Sequence, residues 1–298
     1  MIEIDKSKID SMKLLGKGAS GVVYQYEEDK ILKLFHPKWK KEKVEEAYRI
    51  SKAVSESDVP TAKIYDFVKC DEQYGYIAKR LTGEPLPVYI GADIAKRYDA
   101  AKNMGKILKM VHSIELDETV FPPVKDMFSG VIEICSKYFT EEQFDLFVSF
   151  VDELPGKKCV LHGDFHENNL MMSDDEYNLI DLDGMSIGSP IFDFMQSYCT
   201  YRTPMPKEWR DMIGLTDEVI DEFLYIFLEN YFEIKDRKVL KRYDDCFTKI
   251  SAFMRFFAPL FMQTDTEENL QKYVDDNING IFNLMEEAKE ELKNIVWN

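Results

Sequence analysis

The residues His162-Gly163-Asp164-Phe165-His166-Glu167-Asn168-Asn169, followed by Ile180-Asp181-Leu182-Asp183, supply a proton acceptor and two oxygen ligands for a metal. An Asp five residues before an Asn, with a second Asp closing the next apolar run, is the set that phosphoryl transfer from a magnesium nucleotide requires. Negative charge spreads over the oxygens of the moving phosphoryl group, so the protein mainly positions the reactants while a metal neutralises charge. On this reading Asp164 holds the substrate hydroxyl and accepts its proton. Magnesium takes oxygen ligands and keeps several waters, so one carboxylate and one amide oxygen suffice, and Asp181 and Asn169 supply them. Asp183 shares the strand parity of Asp181 but lies further out, and ranks second.

These groups need a frame. Lys158 to Leu161 reads as a short strand entering the loop, Leu170 to Met172 as a strand leaving it, and Tyr177 to Leu182 as its hairpin partner across the turn Ser173-Asp174-Asp175-Glu176. Near the other end of the chain stands Leu15-Gly16-Lys17-Gly18-Ala19-Ser20-Gly21-Val22-Val23-Tyr24. Gly-x-Gly-x-x-Gly alone is weak, because a dinucleotide fold uses the same letters between a strand and a helix. Here Val22 to Tyr26 alternates, Glu27 to Asp29 makes a polar turn and Ile31 to Phe35 is a further strand, so the glycines sit in a β-hairpin. That is a lid over phosphates: Gly16, Gly18 and Gly21 let backbone N–H groups approach, and Ser20 at the tip offers another donor.

Lys33 is an isolated charge in the apolar run Ile31-Leu32-Lys33-Leu34-Phe35, and such a lysine calls for an acid partner. The following segment, Lys40 to Val54, carries Val44, Ala47, Ile50 and Val54 at helical spacing, and Glu46 falls nearest that stripe while Glu42 and Glu45 point further away. Glu46 is therefore the expected partner of Lys33.

Together the glycine lid, the strand lysine, the helix glutamate and the His-Gly-Asp-x-His-x-x-Asn loop followed by Ile-Asp resemble the aminoglycoside phosphotransferase-like branch of the protein-kinase fold, with choline, fructosamine, methylthioribose and homoserine kinases among its relatives. The resemblance runs from Leu14 to about Phe194. It implies an α+β, bilobal protein-kinase-like fold: an antiparallel-sheet N-lobe with one helix and the hinge over residues 1–82, and a larger, mostly helical catalytic and acceptor-binding C-lobe over 83–298. It also implies transfer of the terminal phosphate of ATP or GTP, with Mg2+, to a hydroxyl of a small molecule. By the resemblance Asp164 is the catalytic base, Asn169 and Asp181 are the metal ligands, Lys33 meets the α/β-phosphates, and His166 stands where protein kinases place a lysine near the transferred phosphate. Asp193, in Gly188-Ser189-Pro190-Ile191-Phe192-Asp193, would tie down the loop backbone, and the hinge backbone from Lys79 to Leu81 would meet the nucleotide base.

The chain departs from the family at Lys79, where relatives often carry an acid, and at Glu167-Asn168, where many carry Pro-Gly. A peptide acceptor is disfavoured. Only six residues separate Asp181 from Gly188, no Ala-Pro-Glu follows, and Gly163 replaces the arginine that reads a phosphorylated activation loop. A protein kinase is thus the weaker alternative. A catalytically silent nucleotide-binding module is another, opposed by the retention of Asp164, Asn169, Asp181 and Lys33.

A chain of 298 residues with 45% hydrophobic and 31% charged side chains suits a soluble enzyme with a sizeable core. The first residues show neither a basic n-region nor an apolar h-region and no run reaches spanning length, so a cytoplasmic location is expected. Cys70, Cys135, Cys159, Cys199 and Cys246 form no Cys-x-x-Cys pair, which argues for reduced thiols and against a zinc site. The formal charge of −17 opposes nucleic-acid or anionic-membrane binding. It leaves cationic acceptors such as aminoglycosides or choline open, although solubility alone explains much acidity.

Past the hinge the pattern is helical. Ile94, Tyr98, Ala101, Gly105, Leu108 and His112 fall at helical spacing, and Thr140-Glu-Glu-Gln143 and Thr264-Asp-Thr-Glu267 read as capping boxes. His162 and His166 are four apart, a ligand spacing for a helix rather than for this loop, so His162 reads as loop support and His112 as a satisfied core histidine. The aromatics from Phe223 to Trp297 read chiefly as core, and Asp221, Glu222 and Glu229 as a solvated face open to an amine.

Overall fold

Alternation along one strand determines which side chains can reach the phosphates. The computed structural model describes residues 1–115, 117–203 and 215–297. They form two compact units, one of Met1–Tyr89 with Glu167–Met185, the other of Ile90–His166 with the described part of Ser186–Asn298.

In the first unit β1 (Ile2–Glu3), β2 (Leu14–Lys17), β3 (Gly21–Gln25), β4 (Lys30–Phe35), β5 (Ile64–Cys70) and β6 (Gln73–Lys79) make one sheet in the order β1-β5-β6-β4-β3-β2. Only the β1–β5 pair is parallel. Leu32 and Leu34 of β4 point to one face, where they join Ile4, Ile9, Val68 and Ile77 around the short helix α1 (Lys6–Asp10). The opposite face carries Phe35 with Ile64, Phe67 and Tyr76, covered by Val44 and Ala47 of α2 (Lys41–Val54). A strand places residues two apart on one face, so Lys33 shares the face of Phe35, and its ammonium lies 5.2 Å from that ring.

The same unit holds a second sheet of β7 (Glu84–Pro85), β9 (Leu170–Ser173) and β10 (Glu176–Leu179). Asp174 and Asp175 join β9 to β10 with φ of 55° and 59°, the two left-handed residues that a tight primed hairpin turn needs. The strand expected to run to Leu182 stops at Leu179. The boundary expected after residue 82 also differs, because the hairpin from the second half of the chain folds with the first. β7 pairs with β9, Leu179 N–H donates to Pro60 O at 2.8 Å, and Thr61 Oγ1 donates to Leu179 O at 2.6 Å. Strand pairing between distant segments leaves no local mark in a sequence.

After α3 (Leu86–Ile90) the second unit comprises α4 (Ile94–His112), α5 (Val124–Cys135), α6 (Glu141–Asp152), the pair β8 (Cys159–Leu161) and β11 (Ser186–Gly188), α7 (Ile191–Arg202), α8 (Asp217–Phe232), α9 (Arg237–Met262) and α10 (Glu267–Leu292). Thr140 forms the full capping box expected of α6. At α10 the cap is Thr266, accepting from Asn269 N, and not Thr264, because Asn269 stands at the third helical position after Thr266. The core is aromatic. Phe194 of α7 stacks on Phe247 of α9 at 4.3 Å between centroids, with Phe232 and Trp297 against them. Phe223, Phe227, Phe232, Phe256 and Phe257 are buried, while Asp221 pairs with Arg202 and Glu222 with Arg237. All five cysteines are free thiols, and no described helix is long and apolar enough to cross a membrane.

α4 and α8 approach closely at Gly105, where a Cβ would collide with the carbonyl oxygen of Phe227. Backbone cannot yield as a flexible side chain does, so Gly105→Ala is expected to destabilise the protein by about 1–3 kcal/mol. A lower urea midpoint at unchanged m-value would show it; an unaltered midpoint would show that the helices separate freely.

Candidate active site

Lys33 has a largely buried side chain that meets two carboxylates. Its Nζ bonds to Asp183 Oδ2 and lies 3.2 Å from Asp181 Oδ1. Tyr76 OH donates to Asp183 Oδ1 at 2.8 Å, and Ser51 Oγ of α2 donates to the same oxygen at 3.4 Å. Burial works against the charge on Lys33, yet Tyr76, Asp183 and Asp181 outweigh it and hold the ammonium above the ordinary lysine value. Burial and the Asp183 carboxylate likewise push the Tyr76 phenol upward, so it remains a donor.

Glu46 is not the partner of Lys33. It bonds instead to Lys43 at 3.1 Å, one turn back on α2 and toward solvent. Nor does Asp183 lie further out than Asp181: its side chain is 10% exposed against 51% for Asp181. β10 ends before either residue, and the chain turns through a short 3-10 segment, Leu182–Gly184, which lies against α2. Strand parity therefore does not apply. Asp181 enters that turn with φ 60° and ψ 55°, a left-handed conformation that costs free energy in a non-glycine residue and clusters at functional sites. Asn169 closes a 3-10 turn, Glu167–Asn169, and its carbonyl accepts Ile180 N–H at 2.9 Å, so the residues bearing the amide and the carboxylate are held on hydrogen-bonded neighbouring segments.

The glycine hairpin joins β2 to β3. Gly18 N–H donates to Gly21 O at 2.9 Å, and the ring of His36 braces the tip through Nε2 and Gly18 O at 3.0 Å. A Cβ on Gly16 would meet nothing within 4 Å, whereas one on Gly21 would collide with Leu34 O of β4. Gly21 is thus demanded by the sheet, while Gly16 leaves open surface. Ser20 O accepts His36 N–H at 3.0 Å. At the expected hinge, Lys79 N–H donates to Lys63 O and Arg80 N–H to Asp29 O, both at 2.8 Å.

The second unit holds Asp164. Asp193, fully buried, accepts His162 N–H at 2.8 Å and Gly163 N–H at 2.7 Å, and His112 Nε2 lies 3.0 Å from it. Gly163 has φ 84°, a left-handed turn that favours glycine. His162 is buried, and its Nδ1 accepts Asp164 N–H at 3.3 Å. The Asp164 side chain is half-exposed. Its Oδ1 accepts the Gln196 side-chain amide at 2.7 Å and lies 3.3 Å from His166 Nε2. A half-exposed carboxylate on a loop with a pinned backbone is equipped to hold a hydroxyl and take its proton.

Residues 11–225 match the APH phosphotransferase enzyme family. The chain belongs to that family. Membership makes it a phosphotransferase, and solved structures agree on a protein-kinase-like fold. They include the ADP-bound aminoglycoside phosphotransferase APH(2'')-Ib, 16% identical with a TM-score of 0.58 over 95% of this chain and 99% of that one. Others are a choline/ethanolamine kinase family protein from Mesorhizobium loti (14% identity, TM-score 0.55, 95% and 91% coverage) and the amicoumacin kinase hAmiN with AMP-PNP, Ca2+ and Ami (14%, 0.59, 95% and 89%). No curated protein sequence matches the chain.

Sequence patterns did not single out Tyr76, Ser51, His36 or Gln196 in this phosphotransferase. Gln196 alone carried a signal, standing three residues after Asp193 on a helix, where both side chains share a face. Because removing one member of a buried ion pair strands the other, Asp183→Asn is expected to cost about 3–5 kcal/mol in urea unfolding and to weaken nucleotide binding at least tenfold by calorimetry. Glu46→Gln should leave both unchanged. The reverse ranking would restore the helix glutamate as the anchor.

Proposed function

We propose that this phosphotransferase moves the terminal phosphate of ATP or GTP, bound with Mg2+, to a hydroxyl group of a small, cationic acceptor of the aminoglycoside, choline or amino-alcohol type. The observation that carries the reading is the Asp164 carboxylate, half-exposed on a loop whose backbone is pinned by a fully buried aspartate. The same loop runs on to Asn169, and a nucleotide suits the chain because relatives were solved with ADP and AMP-PNP.

Asp181 and Asn169 offer one carboxylate and one amide oxygen, a donor set that suits magnesium, which takes one or two protein ligands and fills its other positions with phosphate oxygens and water. Asp181 and Asn169 would hold it, and when bound it supplies positive charge to the phosphate oxygens. Lys33, oriented by Asp183 and Tyr76, would add its own charge at the α/β-phosphates. The acceptor oxygen attacks the terminal phosphorus, the bond from phosphorus to the bridging oxygen breaks, and that electron pair leaves with the nucleoside diphosphate. The hydroxyl proton passes to Asp164. His166, beside Asp164, would add a donor near the transferred group. The −17 charge favours a cationic acceptor through long-range attraction, and the chemistry suits the cytoplasm, where such nucleotides are abundant.

A general base contributes roughly 10² to 10⁴-fold. Asp164→Ala should therefore lose turnover by about that factor and bind MgATP within twofold of the parent. Release of ADP or GDP across aminoglycosides, choline and amino sugars reads both the acceptor and the loss. Parental turnover by the variant would remove Asp164 from the chemistry.

A further inference from the structure

We propose that Gln196 is a positioning residue for the phosphoryl transfer, setting the direction of the Asp164 carboxylate from a helix face that grips four successive loop residues. The inference rests on Asp164 being the proton acceptor. Asp193, Gln196 and Ser197 stand at i, i+3 and i+4 of α7 and so share one face. Asp193 takes the N–H groups of His162 and Gly163. Gln196 Nε2 donates to Asp164 Oδ1 at 2.7 Å. Ser197 Oγ donates to the carbonyl of Phe165, also at 2.7 Å.

Residues 162 to 165 are thus held in order. Two of the three helix side chains grip backbone and would support any loop of this shape. Gln196 alone grips the side chain assigned to the chemistry. It is also the one residue between Ile191 and Tyr198 that is not buried, placed where the helix meets the half-exposed carboxylate. A neutral amide suits this task. It donates to an ionised carboxylate in a strong, charge-assisted bond without adding the net positive charge that would hold the carboxylate back from taking a proton. The His166 ring also approaches Asp164, its Nε2 lying 3.3 Å from the same oxygen. Both contacts fall on one oxygen of Asp164, and a misdirected base loses rate steeply because reacting groups must meet within a narrow geometry.

Gln196→Ala should lower kcat roughly 10- to 100-fold with MgATP affinity within twofold, measured as ADP release with kanamycin, choline and water as acceptors. Gln196→Glu keeps the size but sets a second carboxyl against Asp164, where two like charges resist ionising together. Its acid limb of kcat/KM should move at least one unit to higher pH, with activity partly regained in alkali. Ser197→Ala, which loosens only backbone, should lower stability and leave the limb in place. An acceptor-independent reading is the Gln196 side-chain amide resonance, which should titrate in the parent and stop titrating in Asp164→Asn. Parental kcat in Gln196→Ala, a parental pH profile in Gln196→Glu, or an amide indifferent to Asp164 would each overturn the proposal. If Asp164→Ala is inactive while the Gln196 variants are parental, this inference alone fails. If Asp164→Ala keeps its activity, the underlying assignment fails.

Discussion

A carboxylate with no solvent exposure needs its lone pairs answered, and Asp193 answers them with the start of the loop from His162 to Asn169. Two backbone N–H groups from adjacent residues and the His112 ring converge on it. A charge left unpaired in such a place is costly enough that the fold avoids it. The loop conformation, the last turn of α4 and the first turn of α7 are therefore mutually conditional. Tyr231, whose hydroxyl lies 2.6 Å from His112 Nδ1, extends the arrangement into α8. Asp164, next along the loop, keeps a half-exposed side chain above this pinned backbone.

The first unit meets a related problem with a positive charge. Lys33 projects from a strand whose neighbouring side chains are apolar, under a helix with an apolar contact stripe, and needs a counter-charge. Two carboxylates divide the work. Asp183 is enclosed by Lys33, Tyr76 and Ser51, and Asp181 stays half-exposed. A left-handed backbone at Asp181 produces that division, turning the chain so that residues two apart no longer share an environment.

Much of this was legible because local periodicity encodes local structure. The α2 stripe of Val44, Ala47, Ile50 and Val54 is buried as its spacing required, and α4 spans Ile94–His112. The isolation of Lys33 in an apolar run announced an acid partner. The identity of that partner was not legible: Glu46 is near in sequence, while Asp183 arrives from 150 positions away. Reading parity through Asp181 failed for a related reason, since a strand template says nothing about a turn that replaces it. The tie from Asp193 to the loop backbone was legible from the resemblance, and two backbone N–H groups meet that carboxylate as expected. Gln196 and Ser197 belong to the same contact and passed unnoticed, since a glutamine or serine on a helix has many ordinary uses.

The hairpin of β9 and β10 belongs to the first unit although more than eighty residues lie between it and the other strands there. The polypeptide consequently crosses from one unit to the other three times, after Tyr89, His166 and Met185. A fragment cut at the first crossing would keep the glycine hairpin and Lys33 but forfeit Asp183, leaving a buried ammonium with no neutralising neighbour. The first unit is therefore not a detachable module, and expressing it separately would require residues 167–185 to be spliced back on.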